Sequence, residues 1–169
     1  MAEVTLGLDP GSSKIGWSII GEDKTVLDCG FLSPVSDTPK SFPFNLKMNL
    51  LIRRLIPFFT GLLKKHKVTR VAWEIVPSFG QMSQRELVQA TATTLKILTI
   101  QKGLPYQHFT PQSWHKKCLG QGKVTKTEVK SWVLENNPLL LDDMPFDVYD
   151  AIAIGLTATQ LNEWITNEL

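Results

Sequence analysis

The sequence predicts an α/β protein built on a five-stranded mixed sheet: three antiparallel strands, then two parallel strands, with helices on both faces. Three observations predict it. Two apolar, strand-like runs flank an early Pro-Gly turn, and a third run follows closely. Further on, strand-like and helical patterns alternate, which makes strand–helix–strand crossovers and so parallel pairing. Beyond Phe109 every pattern is helical.

The first strand alternates. Val4, Leu6 and Leu8 fall on one face, and Thr5, Gly7 and Asp9 on the other. Asp9 thus shares its face with a residue that lets another element approach closely. Pro10-Gly11 turns the chain, Ile15 to Ile20 returns it, and Thr25 to Leu32 supplies the third strand of a meander. Residues 33–46 are rich in Pro, Ser and Asp and read as a loop.

A helix is predicted from about Lys47 to Lys65. Met48, Leu51, Leu55, Phe58 and Leu62 form its apolar stripe, and Pro57 is expected to kink or break it. Thr69 to Ile75 is the fourth strand, where Ala72 and Glu74 repeat the small-then-acidic order of Gly7 and Asp9. After a loop from Val76 to Met82, a helix from about Ser83 to Lys102 has two apolar sides. Leu87, Thr91, Thr94 and Leu98 line one, and Val88, Ala92 and Leu95 the other. Burial on both is expected, against the sheet and against a neighbouring subunit.

Gly103 suits a C-cap, and Pro105 to Phe109 a fifth strand. Thr110-Pro111 opens a short helix that Gly120 ends. Thr125 and Glu128 have capping-box spacing, which predicts a helix over Lys126 to Asn136. Residues 137–145 form a loop, and Phe146 opens a last helix expected to reach Glu168. No internal repeat or linker divides the chain, so residues 1–169 are expected to form one domain.

The net charge of +2 conceals a block structure: −4 over residues 1–37, +13 over 38–130 and −7 over 131–169. A basic middle section points to a polyanionic partner, unless folding intermixes the blocks. No basic n-region precedes Glu3, and no apolar run approaches the ~20 residues that span a bilayer. Neither a signal peptide nor a membrane segment is expected, and the setting is expected to be cytoplasmic. Cys29 and Cys118 lack metal-type spacing and read as reduced packing residues.

The chemistry rests on acids. Asp147 and Asp150, three apart, share one side of the last helix, and that side continues as Ile154, Ala158, Leu161 and Ile165. They therefore open a core-facing stripe. Asp at a helix start is also an ordinary cap, and Asp before Pro-Gly an ordinary turn former. Glu74 at the end of an apolar strand has no such structural use. Buried carboxylates raise one another's pKa, and oxygen-seeking divalent cations relieve both costs. Asp9, Glu74, Asp147 and Asp150 together would suit a two-metal site for phosphodiester hydrolysis.

Three segments carry a family resemblance: Leu6-Gly-Leu-Asp-Pro-Gly-Ser-Ser-Lys-Ile-Gly-Trp, Val71-Ala-Trp-Glu-Ile and Phe146-Asp-Val-Tyr-Asp-Ala-Ile-Ala-Ile-Gly. In this order they resemble the RuvC-type Holliday junction resolvases, which have the RNase H-like fold. The resemblance implies a homodimeric endodeoxyribonuclease of DNA recombination and repair that nicks two opposed strands of a four-way junction. It implies Mg²⁺ or Mn²⁺, two ions per site, held by Asp9, Glu74, Asp147 and Asp150, with water as nucleophile. The helix from Ser83 corresponds to the family's dimer-forming helix.

Less firmly, the resemblance puts Phe79 near an aromatic that wedges into the junction, although Pro77 occupies the nearer slot and a core-tucked loop residue is the alternative. His115, Lys116, Lys117, Lys123 and Lys126 fill the family's basic regions for DNA contact. Lys126 is assigned to the scissile phosphate, against the alternative of a solvated lysine. Other readings remain open: an RNase H-like nuclease acting on forks, flaps or RNA–DNA hybrids, or a junction-binding protein without catalysis. An actin-like nucleotide-binding module would need a duplicated domain, for which 169 residues are too few.

Overall fold

A computed structural model describes residues 2–11, 13–39, 41–75 and 82–166. The sheet has strand order β3-β2-β1-β4-β5. β1 (Val4–Pro10), β2 (Ile15–Gly21) and β3 (Val26–Leu32) form the antiparallel meander, and β4 (Arg70–Glu74) and β5 (Tyr106–Phe109) add in parallel. This is the expected mixed sheet, with β1 at its centre.

Alternation along the strands divides two cores. Leu6, Leu8, Ile15, Trp17, Ile19, Val71 and Trp73 face α1 (Phe44–His66) and α2 (Met82–Gln101). Ile20, Ala72 and Phe109 face the opposite layer, built from α3 (Pro111–Leu119), α4 (Lys126–Asn136) and α5 (Phe146–Ala158). Every residue of α5 from Val148 to Ala158 is buried, because the sheet covers one side and α3 and α4 the other.

The small residues on the α5 face of the sheet set how closely that helix lies. A Cβ on Gly7 would collide with the Ala151 carbonyl and stand 2.7 Å from the Gly155 nitrogen. One on Gly16 would collide with the Asp147 carbonyl. Ser18 Oγ donates to the Ala151 carbonyl at 2.8 Å, so helix and sheet meet through backbone as well as side chains. Backbone cannot yield as a flexible side chain does. Gly7→Ala should therefore cost about 3 kcal/mol of stability, measurable as a lowered urea midpoint.

Two boundaries depart from expectation. α1 starts at Phe44 and runs through Pro57 without a break. Pro57 lies on the exposed side, where water can satisfy the carbonyl its missing N–H leaves free. The last helix stops at Ala158 rather than Glu168. Its continuation instead brings Ile165 into an antiparallel bridge with Tyr106, with N–H···O distances of 2.9 and 3.0 Å, covering the open edge of β5. Leu161 and Ile165 are thus not part of the helical stripe.

α2 also differs. Leu87, Val88, Thr91, Leu95 and Thr99 are all buried within this chain, against α1 and β1, and the exposed apolar residues are Ile97 and Ile100. Of the two predicted sides, Ala92, Thr94 and Leu98 remain only partly buried within this chain. Among the described residues no helix is long and apolar enough to cross a membrane. Cys29 and Cys118 are free thiols, both partly buried.

Candidate active site

Parallel register brings the first two acids together. Gly7 lies opposite Ala72 and Leu8 opposite Trp73, so Asp9 and Glu74 follow side by side where the two central strands end. α5 crosses above, and Asp150, in its second turn, reaches the same place. Asp9, Glu74, Asp150, Trp114, His115, Thr125 and Lys126 line one cleft of about 240 Å³.

Electrostatics mark this cleft as costly to build. Asp9 and Asp150 are each only 8% exposed. Burial, then the charges of Glu74, Asp150 and Asp147, push the Asp9 carboxyl well above the usual carboxylate range. Burial likewise raises Asp150, against the opposing pull of Lys126. Glu74 is pushed up to about 7, mainly by burial; a hydrogen bond from Trp114 Nε1 to its Oε2, 2.7 Å long, holds it lower than burial alone would.

Lys126 sits at the first position of α4, fixed there by the capping box. The Thr125 N–H donates to Glu128 Oε2 at 2.6 Å, and the Glu128 N–H donates to Thr125 Oγ1 at 3.2 Å. Its ammonium lies 3.2 Å from Asp150 Oδ2. Partial burial pulls the Lys126 pKa down, but Asp150, Asp9 and Asp147 outweigh it and hold the group above its ordinary value.

Asp147 acts on this group through its charge, which Asp9, Asp150 and Lys126 all feel. It occupies the first turn of α5 beside the Pro10–Gly11 turn, with Oδ1 3.6 Å from where a Cβ of Gly11 would be, and it does not line the cleft. Among the described residues, no three Asp, Glu, His or Cys side chains close into a ready metal-binding group. The donor set nonetheless fits hard divalent cations. Three carboxylates converge, all with raised pKa values, and the protein already sets a cation against one of them.

The expected DNA contacts fall in different places. His115 borders the cleft and, with Lys123, an adjoining depression; its Nδ1 lies 3.3 Å from the Gly122 carbonyl. Lys116 and Lys117 are exposed on the outer side of α3. Phe79 lies outside the described residues. The charge blocks are in part folded together: Asp37–Arg54, Asp28–Lys65, Glu3–Arg70, Asp142–Lys130 and Asp150–Lys126 each join the basic middle to an acidic flank. Lys116, Lys117 and Lys123 form no ion pair among the described residues, which leaves three exposed cations on α3 and the turn that follows it. Trp114 was not singled out by sequence, since nothing local links it to Glu74, 40 residues away.

Glu74 contributes one part of the pH dependence of stability, beside Asp9 and Asp150, whose carboxyls are raised as well. Its folded-state pKa of about 7 exceeds the ordinary 4.5, so the folded protein holds this proton more tightly than the unfolded chain. The associated stability is fully present below pH ~4.5 and is lost as pH rises through ~7, on the order of 3 kcal/mol. In EDTA, Glu74→Gln should flatten the stability profile across that window, as followed by urea unfolding at several pH values.

Comparison with known proteins places this arrangement. The family model for crossover junction endodeoxyribonuclease RuvC matches residues 5–158. Proteins of that name are 30% identical in Synechococcus sp. (strain WH7803), over 90% of this chain and 95% of the relative, and 32% identical in Campylobacter jejuni, over 90% and 91%. Thermus thermophilus RuvC, solved in complex with a Holliday junction substrate, superposes with a TM-score of 0.71 at 20% identity, covering 92% of both chains. The yeast mitochondrial Holliday junction resolvase superposes with a TM-score of 0.63 at 15% identity, covering 93% of this chain and 78% of that one.

Proposed function

The chain belongs to the crossover junction endodeoxyribonuclease RuvC family, and from that premise we propose that it resolves four-way DNA junctions by metal-dependent hydrolysis of phosphodiesters in two opposed strands. The observation that carries the reading is the meeting of Asp9, Glu74 and Asp150 at the ends of the two central strands, under a lysine.

Asp9, Glu74 and Asp150 would hold Mg²⁺ or Mn²⁺, with Asp147 joining from the first turn of α5. Bound ions would supply an activated water and neutralise charge on the attacking and leaving oxygens. The residues of the chain do the remainder. Asp9 and Glu74, on adjacent strands of a rigid sheet, fix two ligands with little freedom to drift. Lys126 offers its ammonium to the scissile phosphate while staying within reach of Asp150. Lys116, Lys117, Lys123 and His115 bind the flanking backbone, which positions the strand without reading its sequence.

Two copies of the chain, related by a twofold axis, would place two such clefts on opposed strands. Ile97 and Ile100 of α2, 49% and 38% exposed, are apolar surface that such a homodimer could cover. Site residues, ions and dimer are parts of one proposal.

The test is a cleavage assay on an end-labelled four-way junction, a replication fork and an RNA–DNA hybrid, in Mg²⁺, Mn²⁺ or EDTA. Paired nicks in opposed strands of the junction, absent in EDTA, are expected. Preference for the fork or the hybrid, or junction binding without cleavage, would overturn the proposal. Junction binding, followed in Ca²⁺, should weaken steeply with salt, the slope of log K against log salt being about −0.9 per phosphate neutralised. A flat response would remove Lys116, Lys117 and Lys123 from the interface.

A further inference from the structure

We propose that Trp114 is the positioning residue of Glu74: its indole N–H holds Oε2 in place and so presents Oε1 to the ion. This rests on the reading of the cleft as a metal-dependent nuclease site.

The geometry is one-sided. Thr110 caps α3 and Pro111 begins it, which sets Trp114 at the end of the first turn, facing inward. The side chain is 1% exposed and packs among Phe109, Val129 and the α5 residues of the second core. The His115 ring packs edge-on against it, with centroids 4.0 Å apart. The ring therefore has no room to swing, and its single polar atom lies 2.7 Å from Glu74 Oε2.

Burial alone does not account for that contact. The buried Nε1 atoms of Trp17 and Trp164 have no hydrogen-bond partner among the described residues, so burial of an indole here does not by itself bring its N–H to an acceptor. Only Trp114, among these three, points its N–H at an acid.

An indole suits the task for three reasons. It donates and does not accept, so it cannot compete with the carboxylate for a cation. It carries no charge, so it leaves the negative charge of Glu74 available, whereas a lysine in its place would cancel that charge. A hydrogen bond to an ionised acceptor is also stronger than one between neutral groups. Glu74 has more rotatable bonds than Asp9 and gains most from such a clamp. Groups that orient metal ligands from behind typically alter metal affinity 10–100-fold when removed.

The test reads the indole N–H directly. In uniformly ¹⁵N-labelled protein the five tryptophans give five indole signals, and Trp114→Phe identifies the one that vanishes. Adding Mg²⁺ without DNA should displace the Trp114 signal, as should Glu74→Gln. In Trp114→Phe, the Mg²⁺ concentration giving half-maximal thermal stabilisation should rise by about 10–100-fold, while the other four indole signals keep their positions. Should Trp114→Phe not fold, the wild-type and Glu74→Gln spectra decide, since the displaced signal identifies itself. If the wild-type protein binds Mg²⁺ and cuts junctions while no indole signal responds to Mg²⁺ or to Glu74→Gln, the positioning role is overturned and the nuclease reading stands. A wild-type protein indifferent to Mg²⁺ in both melting and cleavage overturns both.

Discussion

Asp9→Asn should reduce junction cleavage by on the order of 10³-fold or more, equivalent to ~4 kcal/mol of transition-state stabilisation, and should leave junction binding in Ca²⁺ intact. It should also make the ion-free protein more stable at neutral pH. Both effects have one cause. Asp9 is 8% exposed at the end of the central strand, and burial and three neighbouring acids hold its carboxyl well above the usual range. An acid with a raised folded-state pKa contributes stability at low pH and loses it as pH rises through that pKa. Near pH 4 the Asp9→Asn change should therefore matter little in EDTA. At pH 8 it should raise the melting temperature, because the amide does not titrate and so escapes the loss of stability that a raised folded-state pKa brings as pH rises. Mg²⁺ should reverse the order, stabilising the wild type more than the variant. Cleavage retained in Asp9→Asn would remove Asp9 from the site; a lower melting temperature at pH 8 would show that its charge is already well compensated.

Much of the fold was legible because its signals are local. The Thr125–Glu128 capping box, the Thr110-Pro111 helix start and the stop at Gly120, whose φ is 78°, need only a few neighbouring residues to be recognised, and the structure places α3 and α4 accordingly. The convergence of Asp9 and Glu74 was legible for a related reason. The same small-then-acidic order on two strands becomes a shared location once their parallel register aligns Gly7 with Ala72.

What local pattern cannot carry was missed. Residues 159–160 could continue a helix, yet α5 stops at Ala158 and the chain beyond it pairs Ile165 with Tyr106 at the edge of β5. Pro57 is tolerated because of the side of α1 on which it falls. Whether folding would intermix the charge blocks was left open by the sequence, and five ion pairs join the basic middle to the acidic flanks in part. Trp114 meets Glu74 only because α3 packs over the end of β4. Asp147 and Asp150 share a helical side, and Asp147, a turn earlier, reaches the Pro10–Gly11 turn that follows Asp9.

Lys126→Ala should slow cleavage by about 10²–10³-fold, the usual cost of losing one fixed donor to a charged transition state, while making the ion-free protein respond more strongly to Mg²⁺. A lysine at the first position of a helix is ill-placed for helix stability, since the N-terminal end of the helix dipole is positive. What holds it is the acid cluster: the ammonium lies 3.2 Å from Asp150 and feels Asp9 and Asp147 as well. It is thus a built-in counter-ion. Divalent ions held by Asp9, Glu74 and Asp150 would supply that neutralisation instead, and the Lys126 ammonium would then be free to meet a phosphate. Removing it leaves Asp9, Glu74 and Asp150 with their full mutual repulsion, so the EDTA form should melt lower and the gain in melting temperature on adding Mg²⁺ should exceed that of the wild type. Lys126→Arg should restore the ion-free stability more fully than the cleavage rate, because a planar guanidinium pairs with a carboxylate but reaches a phosphate from a different position. An unchanged cleavage rate in Lys126→Ala would make this side chain a solvated lysine. Slower cleavage with no change in the response to Mg²⁺ would keep its contact with phosphate and remove its part in balancing the acids.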